Sequence, residues 1–329
     1  MDAQHALVVG LDLGGTKMAA ALVRASGEFA GPLATIPTPA HEGREAMLDA
    51  IASLVRTVVK AGTRQAPGIP ARISAVGIGT AGVVDVTTGT IVSATDAIAQ
   101  WAGTRVADGV RARLEAAGLG RLPIHVENDV DAYAAGEAWL GAGRGCASVL
   151  VVAVGTGVGG AVLINGSAVR GSHHVAGEIG HVPAPGAEGE TCTCGRPGHV
   201  EAVAAGPQIH RRYLAAGGDP TVLTTRELET RANAGDALAA RVYRDSAVAL
   251  GKVLAGVVTV LDPDRVVVSG GLARAGQLWW GPLRQTFRAE LIDPLAGVPL
   301  VGAELGTRAP IVGAAHGALG LLDRATEPD

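Results

Sequence analysis

Cysteine is scarce in this chain: three residues among 329, an odd number. That count excludes a disulfide framework and suits a reducing cytosol. Basic charge is short as well, with 27 Lys and Arg against 31 acidic residues and a net charge of −4. No run of Lys or Arg exceeds two residues, so the footprint of a nucleic-acid binder is missing and no nucleic-acid partner is expected. No uninterrupted apolar stretch approaches the ~20 residues of a spanning helix. The first apolar segment follows no charged leader with a cleavage site, and the expectation is a cytoplasmic protein with no membrane partner. Low-complexity tails and flexible linkers are also lacking. Among catalytic signatures, no Gly-x-x-x-x-Gly-Lys-[Ser/Thr] loop is found, no dinucleotide fingerprint leads into a helix, and no Ser-His-Asp or Cys-His spacing stands out.

What the chain has in excess is glycine, 48 residues, about twice the usual ~7 % share. With 48 % hydrophobic content, this implies tight turns and close backbone approaches in a folded protein. The length predicts two domains or one large α/β unit. Residues 6–13 (ALVVGLDL) read as a strand interrupted by Asp12, Gly14-Gly15-Thr16-Lys17 as a turn, and 18–23 as the returning strand. Strands are predicted over 29–36 and 73–79 and helices over 42–61 and 106–117. A short strand at 123–126 feeds Glu127-Asn128-Asp129 and a helix ending at Leu140. The opening unit then repeats about 140 residues on, as strand 148–154, a Gly-rich turn 155–160 and returning strand 161–164. A long helix 236–261, a strand 265–269, Gly270-Gly271 and a helix 278–291 follow. The simplest inference is two similar α/β halves. An N-terminal domain 1–122 would receive the last helix, 312–324, packing back on it, and a larger domain 123–311 would carry the loop 177–201.

Glycine-rich turns between strands expose backbone N–H groups that admit phosphate oxygens, and Thr16 and Thr156 add a hydroxyl at the same place in each repeat. Two such turns would clamp a polyphosphate; plain tight-turn geometry is the alternative. Asp12 stands in an apolar strand two residues before the first turn, with no adjacent basic residue. Burying that carboxylate is costly unless it serves a cation, so it would orient hydrated Mg²⁺; a hydrogen-bonded structural aspartate is the alternative. Thr80-Ala81-Gly82 ends a buried strand in a loop where backbone would meet a ligand. Asp129 opens a helix, so it reads either as its N-cap or as a general base for a hydroxyl proton, with Asn128 bonding a neighbouring hydroxyl.

The stretch 177–201, GEIGHVPAPGAEGETCTCGRPGHVE, holds Cys192 and Cys194, with His199 five residues after Cys194 and His181 eleven before Cys192. Two thiolates and two imidazoles on a Gly/Pro-rich loop satisfy tetrahedral Zn²⁺, a structural site with no open position. Two ordinary cysteines are one alternative; a disulfide is another, although residues i and i+2 rarely reach its geometry. Glu178 and Glu201 flank these ligands and could grip a polyol.

At these residues the sequence resembles the ROK family of sugar kinases and repressors, within the actin-like ATPase superfamily. The likeness rests on Leu11-Asp12-Leu13-Gly14-Gly15-Thr16-Lys17 and Gly155 to Gly160 as two phosphate motifs. It also rests on Glu127-Asn128-Asp129, on Gly270-Gly271 as the adenosine motif, and on Gly180-His181 followed by Cys192-Thr193-Cys194-Gly195-Arg196-Pro197-Gly198-His199-Val200-Glu201. His199 stands where the family has its third cysteine, and imidazole can replace thiolate at zinc. The resemblance implies an α/β fold of two actin-like (ribonuclease H-like) domains with an interdomain cleft. It implies ATP, Mg²⁺ and structural Zn²⁺ as cofactors, a small-molecule sugar as partner, and a homo-oligomer, dimer or tetramer. Asp129 would be the base. Gly82, Asn128, Glu178, His181 and Glu201 would contact the sugar, as would Asp96, which replaces the family's usual asparagine and, ionised, only accepts hydrogen bonds. Asp12, Gly14, Gly15, Thr16, Lys17, Gly155, Thr156, Gly157, Gly159, Gly270 and Gly271 would hold the nucleotide and its metal. The implied activity is phosphorylation of a hexose, glucose first, with an N-acetylglucosamine or N-acetylmannosamine kinase as the alternative. Family repressors carry a winged-helix region ahead of the first phosphate motif; that motif begins here at residue 11, so a regulator is disfavoured.

Overall fold

A computed structural model describes residues 6–65, 73–95 and 97–324. In chain order the elements are β1 (Leu7–Leu13), β2 (Lys17–Arg24), β3 (Ala34–Pro37), α1 (Arg44–Gln65), β4 (Ala75–Thr80), β5 (Val83–Asp85), β6 (Thr90–Ser93), α2 (Val106–Ala116), β7 (Ile124–Asn128) and α3 (Asp129–Leu140). They continue with β8 (Ser148–Val154), β9 (Val158–Ile164), β10 (Ser167–Ala168), α4 (Glu201–Ala204), α5 (Gly206–Ala215), α6 (Thr225–Asn233), α7 (Ala237–Leu261), β11 (Arg265–Ser269), α8 (Gln277–Glu290), β12 (Leu300–Gly302) and α9 (Ala309–Arg324). By contact the chain divides into two units. Unit 1 runs to Gly145 and takes in Gly166–Val175 and the chain from Glu304; unit 2 is Cys146–Asn165 with Ala176–Ala303.

Unit 1 is a sheet in the order β3-β2-β1-β4-β7, with β4 parallel to both β1 and β7. Side chains alternate along a strand, so Leu7, Val9, Leu11 and Leu13 of β1 join the core built with α1 and α2. Val8 faces the other way, into a cluster with Ile311, Ala315 and Leu319 of α9. Gly10 and Asp12 share that second face. Backbone-to-backbone packing holds α9 there: a Cβ on Gly77 of β4 would lie 1.7 Å from the Ala314 carbonyl oxygen. On its other side α9 meets α3, where a Cβ on Gly313 would lie 1.7 Å from the Ala132 oxygen. The Ala/Gly composition of α9 is thus a packing requirement.

The boundary expected at residue 122 gives way to one near Gly145. The reason is pairing: β7 bonds in register with β4, Glu127 opposite Gly79 and Asn128 opposite Thr80, and α3 packs on α9. The strand expected over 29–36 is shorter. β3 begins at Ala34, after Gly31 and Pro32 interrupt the run, and Phe29 makes only an isolated bridge to Val23.

Unit 2 repeats the arrangement as β9-β8-β11-β12, with β8 antiparallel to β9 and parallel to β11. Leu150, Val152 and Val154 of β8 pack with Leu250 and Leu254 of α7 and Trp279 and Phe287 of α8. Helix α7 starts where the Asp236 side chain accepts from the Leu238 and Ala239 N–H groups, the expected cap for a long apolar helix. The turn expected to span 155–160 is shorter, because β9 begins at Val158; Gly159 pairs with Ala153 and Gly160 with Val152 inside the ladder. Gly160 is accounted for by a different demand, since a Cβ there would lie 2.7 Å from the Gly177 oxygen. Among the described residues no helix is long and apolar enough to cross a membrane.

Candidate active site

The first glycine turn is the tip of the β1–β2 hairpin. The Gly14 N–H donates to the Lys17 oxygen at 3.1 Å and the Thr38 hydroxyl donates to the Gly14 oxygen at 2.6 Å, which leaves Gly15, Thr16 and Lys17 exposed. Asp12, just behind the tip, is charged only at a cost. Burial and then the neighbouring Asp129 carboxylate push its carboxyl up to about 6, against the pull of Lys17.

Asp129 is the first helical residue of α3. Its cap is Asn128, whose φ and ψ of −62° and 149° are extended and whose Oδ1 accepts from the Val130 and Asp131 N–H groups at 2.8 and 3.3 Å. The capping alternative therefore falls to Asn128, not to Asp129. Asn128 Nδ2 donates to the Gly82 oxygen at 3.0 Å, tying β7 to the loop after β4. Gly82 has φ of 106°, a left-handed value, and a Cβ there would lie 2.8 Å from the Ser93 oxygen. The Asp129 carboxyl accepts from the Val130 N–H at 3.0 Å. Burial raises its carboxyl, opposed by that N–H, by its own backbone N–H and by the Asn128 side chain. Unit 1 thus brings Asp12, Gly82, Asn128 and Asp129 together, two of them carboxyl groups held ready to exchange a proton or to receive a cation. Asp96 lies outside the described residues.

In unit 2 the turn Gly155-Thr156-Gly157 is closed by Gly155 N–H donating to the Gly157 oxygen at 2.9 Å, and Gly206 N–H donates to the Gly155 oxygen at 2.8 Å. Gly270-Gly271 lies alongside: Gly271 N is 3.8 Å from where a Gly155 Cβ would stand. Gly270 has a left-handed φ of 88°, and a Cβ there would lie 2.3 Å from the Val154 oxygen. This places Gly155, Thr156, Gly157, Gly270 and Gly271 in one backbone-lined surface suited to anionic oxygens, with Gly159 set back in β9.

The loop 177–201 folds on its own backbone bonds. Ala184 N–H donates to the Gly198 oxygen and Val200 N–H to the Val182 oxygen, while Cys192 N–H donates to the Arg196 oxygen and Gly195 N–H to the Cys192 oxygen. These bonds converge His181, Cys192, Cys194 and His199, whose donor atoms lie within 4.8 Å of one another. His181 Nδ1 is 3.5 Å from Cys192 Sγ, and Cys194 Sγ is 3.3 Å from His199 Nδ1. Bonds of ~2.0–2.3 Å to a tetrahedral ion space ligand atoms by roughly 3.3–3.8 Å; the donor set and these two pairs match Zn²⁺, and the widest separation, up to 4.8 Å, would close by about 1 Å around the ion. Glu178 is exposed ahead of the Ile179–His181 turn. Glu201 is 7 % exposed; its Oε2 accepts from the Val158 N–H at 3.0 Å and its Oε1 from the Thr193 hydroxyl, with Cys192 Sγ 3.5 Å away. It joins the cysteine loop to the residue that follows the second glycine turn.

Two side chains that sequence reasoning passed over complete the unit 1 cluster. Arg170 spans Glu127, at 2.7 Å from Nη2 to Oε2, and Asp131, bonded through Nη1. Burial alone would raise the Glu127 carboxyl, but His125 and Arg170 outweigh it and hold it below the usual range. Asp131, with Glu127 and Asp129 as neighbours, is pushed up to about 7, mainly by burial and against the attraction of Arg170. One guanidinium serves two carboxylates, and Glu127, with His125 besides, keeps its charge more readily. The carboxylates at 127, 129 and 131 were a visible signal in the sequence that a counter-charge was required.

The ROK family profile matches residues 8–320. A glucokinase of Streptomyces coelicolor is 34 % identical over 98 % of both chains. An N-acetylmannosamine kinase of Shigella boydii is 33 % identical over 93 % of this chain and 96 % of its own. Among solved structures, a ROK family glucokinase from Streptomyces griseus in complex with glucose and AMPPNP is 31 % identical, with a TM-score of 0.74 over 95 % of this chain and 99 % of its own. With the profile, the relatives and the repeated sheet units in agreement, the chain belongs to the ROK family and has its two-domain actin-like α/β fold.

Proposed function

We propose that this chain is an ATP- and Mg²⁺-dependent hexose kinase with glucose as its leading acceptor. The observation that carries this reading is Asp129: a half-buried carboxyl, raised by its surroundings, at the first position of a helix whose cap is supplied by its neighbour, and close enough to Asp12 to raise that carboxyl too. A carboxyl raised above its ordinary range is suited to general-base work. The kinase relatives and the glucose and AMPPNP bound to the Streptomyces griseus protein support the substrate class.

In unit 1, Asp129 takes the proton of the sugar's primary hydroxyl as that oxygen attacks the γ-phosphorus. The bond to the bridging oxygen breaks and ADP leaves with its electron pair. Asn128 keeps the helix start and the Gly82 loop in place, and its remaining N–H and the Gly82 backbone serve the sugar. The Gly14–Lys17 turn holds phosphate oxygens. Asp12 would orient hydrated Mg²⁺, which would supply positive charge to screen the phosphates. In unit 2, Gly155, Thr156 and Gly157 meet phosphate, Gly270-Gly271 the nucleoside, and Glu178, His181 and Glu201 the sugar hydroxyls. His181, Cys192, Cys194 and His199 would hold Zn²⁺ as a structural cross-link. An N-acetylmannosamine kinase is the second reading, favoured by the Shigella boydii relative.

The test is ADP release with ATP and Mg²⁺ over glucose, mannose, N-acetylglucosamine and N-acetylmannosamine. Glucose-dependent ADP supports the first reading, turnover confined to N-acetylmannosamine moves the acceptor, and no turnover with any of them overturns the kinase.

A further inference from the structure

Glu127, Asp129 and Asp131 place three carboxyl groups within five residues across the β7–α3 junction. Glu127 is 2 % exposed and the Asp131 side chain 14 %. Uncompensated, such a cluster is costly to hold folded, and the charges of Glu127 and Asp129 both bear on Asp131. The compensating charge comes from far along the chain. Arg170 lies on the segment after β10, and its planar fork reaches Glu127 Oε2 with one nitrogen and Asp131 Oδ2 with the other. A guanidinium can span two carboxylates in fixed geometry, whereas an ammonium is a point charge. The other titratable and charged groups around the cluster are His125 on β7, with Nε2 3.4 Å from Glu127 Oε1, Asp12 on β1, and His316 and Arg324 of α9.

We propose that Arg170 is a positioning residue for Asp129: by bridging Glu127 and Asp131 it clamps the strand end to the first helical turn and balances the charge on both sides of the base. The inference rests on the kinase reading, since it assigns a role relative to Asp129 as base. Arg170 bonds Glu127 and Asp131, each two residues from Asp129 in sequence, and acts through them. Its loss acts on the rate of the chemical step more than on the affinity for either substrate.

The experiment measures kcat and both KM values for Arg170→Met and for the double variant Arg170→Met with Asp131→Asn. The single variant should lose at least ~10-fold in kcat while both KM values stay within ~3-fold. The double variant, which removes one carboxylate with the cation, should return to within ~3-fold of the wild-type kcat, a coupling that independent sites would not show. A single variant that keeps more than about half of kcat, or a double variant as slow as the single, overturns the proposal. Should the single variant not fold, the double decides alone: folded with near wild-type kcat supports the charge balance that Arg170 provides beside the base, while folded but slow, or unfolded, refutes it. Arg170→Ala adds a readout that a merely structural role would not give. A cavity of about 260 Å³ lined by His125, Glu127, Arg170 and His316 opens beside the guanidinium, so free guanidinium at sub-denaturing concentration should restore part of kcat. No restoration counts against the clamp. Wild-type protein that phosphorylates no sugar sinks the kinase reading and this inference with it; normal wild-type turnover with a fully active Arg170→Met sinks only this inference.

Discussion

Asp12→Asn should make the metal-free protein more stable and the enzyme inactive. The Asp12 carboxyl has an ordinary value of 3.8 and is raised to about 6 in the folded protein. A tenfold change in proton affinity corresponds to about 1.4 kcal/mol, so ionised Asp12 costs the fold up to about 3 kcal/mol. The sign follows from the direction. Below about pH 4 the group is protonated in both folded and unfolded chains and costs nothing; the penalty grows as pH rises from 4 to 6 and is complete above 6. Replacing the carboxyl by an amide of the same shape removes the penalty. The Asn variant should therefore gain stability at pH 7.5 and lose that gain at pH 4. At roughly 2–4 °C per kcal/mol for a domain of this size, the change in Tm at pH 7.5 is several degrees. Thermal melts of both proteins at the two pH values, with and without Mg²⁺ and an ATP analogue, read all of this at once. Wild type should gain more from Mg²⁺ than the variant does, because a bound cation offsets the charge the variant lacks. A variant no more stable than wild type at pH 7.5, or one with an unchanged Mg²⁺ titration, refutes the role given to Asp12.

The zinc loop predicts about one Zn²⁺ per chain by elemental analysis, lost in Cys192→Ala and His199→Ala and kept in His199→Cys. Full occupancy in His199→Ala would remove that residue from the ligand set. Loss of the metal should weaken sugar binding more than nucleotide binding, because Glu201 bonds Thr193 within the loop while Gly155 and Gly271 lie off it; equal weakening in calorimetry contradicts this. Gly313→Val should cost about 3 kcal/mol or more in urea unfolding, since its Cβ has no space against the Ala132 carbonyl; a variant within about 1 kcal/mol of wild type, roughly the scatter of surface changes, would mean that α9 can shift at little cost.

The repeated hairpins were legible because apolar runs of strand length ended in glycine turns, a pattern that needs no long-range information. The turn chemistry was less so. Gly155 through Gly160 reads as one Gly-rich segment, and only the pairing of Gly159 with Ala153 shows where the strand takes over. Asn128 and Asp129 are both favoured N-caps; the extended φ and ψ at Asn128 settle which one caps. The cysteine loop could be read from spacing, because its ligands lie within twenty residues and its glycines allow the return. Arg170 could not. It reaches Glu127 and Asp131 from about forty residues away through the fold, and no local pattern marks which arginine will supply a missing counter-charge. The boundary at residue 122 failed for a similar reason: strand pairing between β4 and β7 assigns Glu127 and Asp129 to unit 1.

The most direct test of the account compares Asp129→Asn with wild type in glucose-dependent ADP formation at saturating ATP and Mg²⁺, alongside glucose binding by calorimetry. Asn128, not Asp129, caps α3, so the substitution leaves the helix start intact. The account predicts bound glucose at near wild-type affinity and a kcat lowered by about 10²-fold or more. A variant that retains more than about a tenth of the wild-type kcat would contradict the assignment of Asp129 as the base that accepts the sugar's proton.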